Sequence, residues 1–136
     1  MRVFVDANTL ISGIVFRGLE HEVLKLASKE KTELITSEDV INEVTAVLVR
    51  KFPRSSALFN EFIVSSRIQV IPRSSYLELI SLQVVRDKKD QHVLAAALFS
   101  NCKYLVSGDK DLTTLKRYCE IEIVTSRQLL ALAEFS

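Results

Sequence analysis

The chain has 136 residues, of which 48% are hydrophobic and 26% charged, and its formal net charge is +1. This size and composition predict one folded domain over residues 1–136 rather than a disordered segment. The near-neutral charge neither requires nor excludes a nucleic-acid partner. The longest apolar run, 93–99, is far shorter than the roughly 20 residues of a membrane span, and Asp6 ends the first apolar run too early for a signal peptide. We therefore expect a soluble, cytoplasmic protein without membrane contacts.

The two cysteines, Cys102 and Cys119, form no CxxC pair and have no pair of histidines nearby. This spacing disfavours a zinc site. Two buried or half-buried free thiols fit a reducing compartment, and one disulfide is the alternative.

Short apolar runs alternate with segments of helical periodicity along the chain. The runs predicted as strands are 3–5, 34–36, 68–71, 104–106 and 121–124. Helices are predicted over about 19–29, 37–50, 55–65, 87–101 and 111–118, and from 126 onward. Strands that alternate with helices indicate a parallel sheet covered on both faces, and the near-continuous apolar strands agree. The predicted fold class is a three-layer α/β/α domain.

Ligands of such sheets bind at the carboxyl ends of the strands, and two acidic residues stand there. Asp6 directly follows the first strand, and Asp109 follows the fourth through Ser107 and Gly108. Asp6 could instead be a loop residue that caps the next turn. For Asp111, two residues further on, capping is the favoured interpretation.

Two further carboxylates lie on helix faces that the pattern expects to be apolar. Glu43 is three residues after Val40 and four before Val47, and Asp90 is three residues before Val93. A carboxylate on a buried stripe must be paired or must bind a metal ion. For Glu43 the alternative is a structural salt bridge, and for Asp90 it is stabilisation by the helix dipole.

These four carboxylates converge if the helix of Asp90 packs antiparallel to the fourth strand. Grouped in one pocket, they would repel each other and raise each other's pKa. Divalent cations remove that conflict, and Mg²⁺ and Mn²⁺ prefer oxygen ligands. The sequence therefore predicts a Mg²⁺ or Mn²⁺ site formed by Asp6, Glu43, Asp90 and Asp109.

Four segments carry a resemblance to a known family: VFVDANTLISG at 3–13, SEDVINEV at 37–44, RDKKDQHVLAAA at 86–97 and YLVSGDKDL at 104–112. At these residues the chain resembles the PIN-domain ribonucleases, particularly the VapC-like toxins of toxin–antitoxin pairs. The resemblance implies a five-stranded parallel sheet in the order 3-2-1-4-5. The topological switch point then falls between the first and fourth strands, where Asp6 and Asp109 meet.

The resemblance also implies roles for individual residues. Asp6, Asp90 and Asp109 would ligate metal, with Glu43 holding metal-bound water or a second ion. Asn8 and Ser107 match polar positions that support the first aspartate, although Ser107 stands where threonine is commoner.

The implied activity is hydrolysis of an RNA phosphodiester by metal-activated water, leaving a 5′-phosphate and a 3′-hydroxyl. One or two ions would act, ~3.5–4 Å apart if paired. An antitoxin partner and a homodimer are implied by the resemblance alone.

Other residues beside the acidic positions have two interpretations each. Asp87 supports the site or caps its helix, with capping the stronger reading. His92 is predicted to be a helix-surface residue without a catalytic role, and His21 is not required either. Three basic residues flank Asp90 and either hold substrate phosphates or form a solvated face: Arg86, Lys88 and Lys89.

Two other functions compete with the nuclease. A haloacid-dehalogenase-type phosphatase would use Asp6 as nucleophile, but its general acid would fall on Asn8, which cannot exchange that proton, and Glu43 and Asp90 would be unexplained. A non-catalytic partner-binding domain would need no metal, and its binding function would be unchanged by Asp90→Asn. Three scattered glycines exclude the phosphate loops of P-loop and dinucleotide-binding enzymes.

Overall fold

A single sheet of six strands forms the centre of the computed structural model, which describes residues 1–134. The strands are β1 (Arg2–Val5), β2 (Glu33–Ser37), β3 (Gln69–Ile71), β4 (Tyr104–Val106), β5 (Arg117–Tyr118) and β6 (Ile121–Val124). Their order is β3-β2-β1-β4-β6-β5. All neighbouring pairs are parallel except β5 and β6, which form an antiparallel hairpin.

The helices that connect these strands pack around the sheet. They are α1 (Ala7–Val15), α2 (Leu19–Lys25), α3 (Glu38–Lys51), α4 (Ser56–Ser65), α5 (Arg73–Ile80), α6 (Lys88–Phe99), α7 (Lys110–Thr113) and α8 (Ser126–Glu134). Short 3₁₀ turns occupy 26–28 and 53–55. None of the helices within residues 1–134 is long and apolar enough to cross a membrane.

The predicted fold class and the order of the five parallel strands are confirmed, but the sheet has a sixth strand. Helix was predicted over 111–118, whereas α7 ends at Thr113. Lys116 has a φ of 62° and stops any continuation of the helix. Cys119, with a φ of 53°, lies in the tight turn that pairs Tyr118 with Ile121. The strand predicted as the fifth is therefore β6.

Two helices were not predicted, and each has a weak helical signal. In α1, Asn8, Thr9 and Gly13 are poor helix formers, and the helix depends on its cap at Asp6. In α5, only Tyr76 is fully buried, so the segment lacks the continuous apolar stripe of a typical surface helix.

The core lies on both faces of β1 and its neighbours. Val3, Phe4 and Val5 have no exposed surface, as expected for a central parallel strand. Helix α6 buries Ala95, Ala96 and Ala97 completely, and such small side chains let a helix approach the sheet closely. This close approach fixes the position of the amino end of α6, where Asp90 lies.

Close packing of α1 against α2 depends on Gly13. A Cβ atom at this position would lie 2.5 Å from Leu24 Cδ1 and 2.9 Å from the backbone oxygen of Glu20. We expect Gly13→Ala to lower the free energy of unfolding by about 1–3 kcal/mol because the backbone contact cannot relax cheaply. Urea unfolding measures this change, with Gly108→Ala as control, since a Cβ there meets nothing within 4 Å. Equal stability of the two variants would contradict the packing argument.

Candidate active site

Asp6 lies at the carboxyl end of β1 and is 5% exposed. Its Oδ1 accepts a hydrogen bond from the backbone N–H of Thr9 at 3.0 Å, so it is the N-cap of α1. Its Oδ2 accepts a hydrogen bond from the Ser107 hydroxyl at 2.6 Å. Burial raises the pKa of Asp6, and the hydrogen bonds from Ser107 and Thr9 offset this only in part. Asp6 is thus both a helix cap and a buried carboxylate.

Ser107 links Asp6 to Asp109. Because Val5 pairs with Val106 in parallel strands, the residues that follow them, Asp6 and Ser107, are neighbours at the sheet edge. The Ser107 Oγ also accepts a hydrogen bond from the backbone N–H of Asp109 at 3.0 Å. Asp109 is half-buried, and the charge of its carboxylate further raises the pKa of Asp6.

Asp90 lies in the first turn of α6 and is 9% exposed. Burial, followed by the charges of Asp109, Asp87, Asp111 and Asp6, raises its pKa to about 6. Within residues 1–134, no group donates a hydrogen bond to its carboxylate and no cation pairs with it. The fold thus brings three of the four predicted carboxylates together, and we call Asp6, Asp90 and Asp109 the acidic centre.

Glu43 stands apart from the acidic centre in this conformation. Its side chain is 33% exposed, and its Oε1 pairs with Lys89 Nζ at 2.9 Å. The sequence predicted a structural salt bridge as the alternative role of Glu43 without identifying Lys89 as the partner, and the structure contains a bridge of this kind. A metal-binding role for Glu43 requires its carboxylate to leave Lys89.

The supporting residues predicted from the sequence differ in what they contact. Asp87 caps α6 by accepting a hydrogen bond from the Lys89 N–H at 2.8 Å, as predicted. The cap of α7 is Asp109 rather than Asp111, whose N–H donates to Asp109 Oδ1 at 2.8 Å. The remaining three side chains are exposed, and within residues 1–134 none forms a side-chain hydrogen bond or ion pair: Asn8, Arg86 and Lys88.

No three histidine, cysteine or acidic side chains among residues 1–134 are grouped so that they could hold a metal ion. The cysteines are both free, Cys102 buried and Cys119 exposed. Burial raises the pKa of the Cys102 thiol to about 12, so it is an inert core residue. The prediction of free thiols holds, but Cys119 is not buried, because the hairpin turn carries it to the surface.

A network of four side chains beside Glu43 was not predicted. Asp39 accepts a hydrogen bond from the Tyr76 hydroxyl at 2.6 Å and forms an ion pair with Arg73. Its Oδ2 atom also lies 3.2 Å from His92 Nδ1. Burial opposes the charge of Asp39, but Tyr76, Arg73 and His92 together lower its pKa. His92 is therefore half-buried and paired rather than a free surface residue. The sequence signal was weak, because Tyr76 and Arg73 lie on the unpredicted helix α5.

Residues 2–111 match the family model of the PIN domain. The chain belongs to the PIN-domain family. No curated protein is significantly similar in sequence.

Several solved structures have the same fold. VapBC2 from Rickettsia felis, solved with a DNA fragment from its promoter, superimposes with a TM-score of 0.67 at 17% identity, over 92% of this chain and 98% of that chain. VapC20 from Mycobacterium tuberculosis, a toxin that cleaves the sarcin–ricin loop, superimposes with a TM-score of 0.61 at 16% identity, over 88% of this chain and 98% of that chain. FitAcB from Neisseria gonorrhoeae superimposes with a TM-score of 0.61 at 14% identity, over 91% of this chain and 97% of that chain. At these identities the similarity establishes a shared fold.

Proposed function

We propose that this chain is an endoribonuclease that depends on Mg²⁺ or Mn²⁺, and that the acidic centre holds the ion. The observation that carries this proposal is Asp90, a buried carboxylate without a donor or cation whose pKa is raised by burial and by other carboxylates. Such an arrangement costs stability, and strongly shifted carboxylates cluster at functional sites. Membership of the PIN-domain family supports the nuclease assignment.

The donor set of the acidic centre fits a hard divalent cation by charge and by atom type. Mg²⁺ usually keeps several waters and binds through one or two carboxylates together with substrate phosphates. A preformed cage of three side chains is therefore not required. Asp6 and Asp90 are the ligands we assign first, and Asp109 would be the third. Glu43 would hold metal-bound water or a second ion after it separates from Lys89.

When bound, the metal would activate a water molecule and neutralise charge on the leaving oxygen of the phosphodiester. The chain's own side chains position the groups that take part. Ser107 and the Thr9 N–H fix the orientation of Asp6. Arg86 and Lys88 are exposed beside Asp90 and would bind RNA phosphates, and Lys89 would join them when it separates from Glu43. No side chain is required as a nucleophile.

We further propose a protein antitoxin as a partner, together with a homodimer and a cytoplasmic location. The fold shared with VapBC2 and FitAcB supports the antitoxin partner, and membership of the PIN-domain family supports the homodimer. VapC20, described as a toxin that cleaves the sarcin–ricin loop, supports RNA as the substrate. A single PIN nuclease domain over residues 1–136 remains part of this proposal.

Cleavage of labelled single-stranded RNA tests the proposed activity. We expect cutting with Mg²⁺ or Mn²⁺, none in EDTA, and none by a folded Asp6→Asn/Asp90→Asn double variant. A nuclease should form no aspartyl-phosphate at Asp6. A phosphatase would form this adduct on the wild-type protein, and Asp6→Asn would abolish it. Absence of cutting across varied RNAs, with absence of metal binding, would favour the partner-binding domain.

A further inference from the structure

Two segments that the proposed catalysis does not use combine aromatic rings with cations. Phe16 and Arg17 follow α1, and Lys51, Phe52 and Arg54 lie around the end of α3. The segments meet through their rings, whose centroids are 6.1 Å apart at an interplanar angle of 81°. We call these five residues the basic aromatic patch.

The Phe16 residue is held in place and is largely uncovered. Its backbone N–H donates to the Ser12 oxygen at 2.9 Å, which closes the last turn of α1, and its ring contacts that of Phe52 in a T-shaped arrangement. Phe52 is half-buried and packs against the core. Phe16 is nevertheless 57% exposed. Single exposed apolar residues are common, but a ring that is held by a neighbour and open to solvent also suits base stacking.

The three cations of the patch are exposed and carry no compensating charge. No carboxylate occurs in the chain between Glu43 and Glu61. Within residues 1–134, none of Arg17, Lys51 and Arg54 forms an ion pair or a side-chain hydrogen bond. The patch is therefore basic although the net charge of the chain is only +1. Cations that contact the backbone and aromatic rings that stack on bases are the two elements of single-strand recognition.

Helix α3 connects the patch to the candidate active site. Glu43 in its amino-terminal half pairs with Lys89 beside the acidic centre, and Arg50 lies two turns further along the same helix face. At 1.5 Å per residue, α3 spans about 20 Å, and Phe16 lies about 15 Å along α1 from Asp6. An RNA strand that reaches the acidic centre can therefore extend along α3 to the patch.

We propose that the basic aromatic patch binds single-stranded RNA beside the cleavage site: the Phe16 ring stacks on a base, and Arg17, Lys51 and Arg54 contact backbone phosphates. RNA as the ligand rests on the proposed ribonuclease function. Every base has a π-face that can stack, so the patch adds affinity without selecting a sequence.

Substitution of Phe16 tests the stacking contact. Affinity is measured by fluorescence anisotropy in EDTA with a labelled uridylate oligomer of about 12 nucleotides, which at roughly 3.4 Å per nucleotide reaches from the acidic centre to the patch. We expect Phe16→Leu, which keeps an apolar side chain without a ring, to weaken binding about five- to fiftyfold, as the loss of one stacked base predicts. Phe16→Tyr keeps the ring and should stay near wild type. An abasic oligomer of the same length has no base to stack, so both variants should bind it equally.

The salt dependence of binding tests the phosphate contacts. Each contact with a phosphate of a single strand contributes about 0.7 to the slope of log affinity against log salt concentration. The triple variant Arg17→Gln/Lys51→Gln/Arg54→Gln should therefore lower the magnitude of this slope by about 2, on the uridylate and abasic oligomers alike. A control with the same change in net charge replaces by glutamine three exposed lysines outside the patch: Lys29, Lys103 and Lys116. The control should keep a slope near that of wild type.

Three results would overturn this inference: wild-type affinity of Phe16→Leu for the uridylate oligomer, an equal loss on the abasic oligomer, or equal slopes for the two triple variants. Failure of wild type to bind either oligomer would overturn it as well. A thermal unfolding curve for each variant excludes loss of folding as the cause.

The binding assay contains no metal, so its outcome is separable from that of the cleavage assay. A protein whose RNA binding depends on the patch but that cuts no RNA would contradict the proposed catalysis alone. Metal-dependent cutting together with RNA binding that is independent of the patch would contradict this inference alone.

Discussion

Replacing Asp90 with asparagine should reduce metal-dependent RNA cleavage at least about 100-fold and at the same time make the metal-free protein more stable. Mutation of a residue that only supports a metal ligand typically lowers metal affinity or activity about 10–100-fold. Loss of a direct ligand should lower the activity by at least as much. The gain in stability arises because asparagine removes a buried charge that faces Asp6 and Asp109. Cleavage rates and urea unfolding in EDTA measure the two effects.

The predicted gain in stability of Asp90→Asn depends on pH. The pKa of Asp90 is about 6 in the folded protein against an ordinary value of 3.8, so the folded state holds the proton more tightly. Stability is therefore lost as the pH rises from about 4 through 6, and the loss is complete above that window. Two pKa units correspond to about 3 kcal/mol. We expect metal-free Asp90→Asn to exceed wild type by about 2–3 kcal/mol at neutral pH and by less in acid.

The control for this comparison is Glu61→Gln, which neutralises an exposed carboxylate on α4. It should change neither stability nor cleavage appreciably, since surface substitutions usually stay within about 0.5 kcal/mol. If Asp90→Asn is destabilising at neutral pH, the carboxylate has a structural partner and the account of a strained metal ligand fails.

Removing the hydroxyl of Ser107 should weaken both the fold and the metal site. In Ser107→Ala, Asp6 Oδ2 and the Asp109 N–H each lose a partner, and an unsatisfied buried polar group costs about 1–3 kcal/mol. We also expect metal affinity to fall about 10–100-fold, because Asp6 loses the group that orients it. Unfolding in urea and calorimetric titration with Mn²⁺ measure these losses.

Ser107→Thr is the matched variant for this prediction, because threonine keeps the hydroxyl. It should retain most of the stability and of the metal affinity. Equal behaviour of Ser107→Ala and wild type would show that Asp6 needs no orienting donor. Equal losses in both variants would point to the packing of the buried side chain rather than to its hydrogen bonds.

The sequence predicted those parts of the fold and site that depend on local pattern. The buried strands were recognisable because their apolar runs are uninterrupted. Asp6 and Asp109 were recognisable as site residues because each follows the end of a strand. Asp90 was recognisable as a carboxylate on an apolar helix face. Glu43 shared that signal, but its half-exposed side chain pairs with Lys89, a partner from another helix that periodicity cannot supply.

The features that were missed depend on contacts between distant segments. Helix α5 contributes Tyr76 and Arg73 to Asp39, yet its own sequence has only a weak apolar stripe. His92 therefore resembled an ordinary surface residue until Asp39 was brought beside it. The hairpin of β5 and β6 likewise depends on left-handed backbone at Lys116 and Cys119, residues whose types do not favour it.

The most direct test of the acidic centre is calorimetric titration of the metal-free protein with Mn²⁺, for wild type and for the Asp6→Asn/Asp90→Asn double variant. We expect wild type to bind at least one ion and the folded double variant to bind none. Binding should also raise the midpoint of thermal unfolding of wild type alone. Equal Mn²⁺ binding by both proteins, or no binding by wild type, would contradict the assignment of these carboxylates as a metal centre.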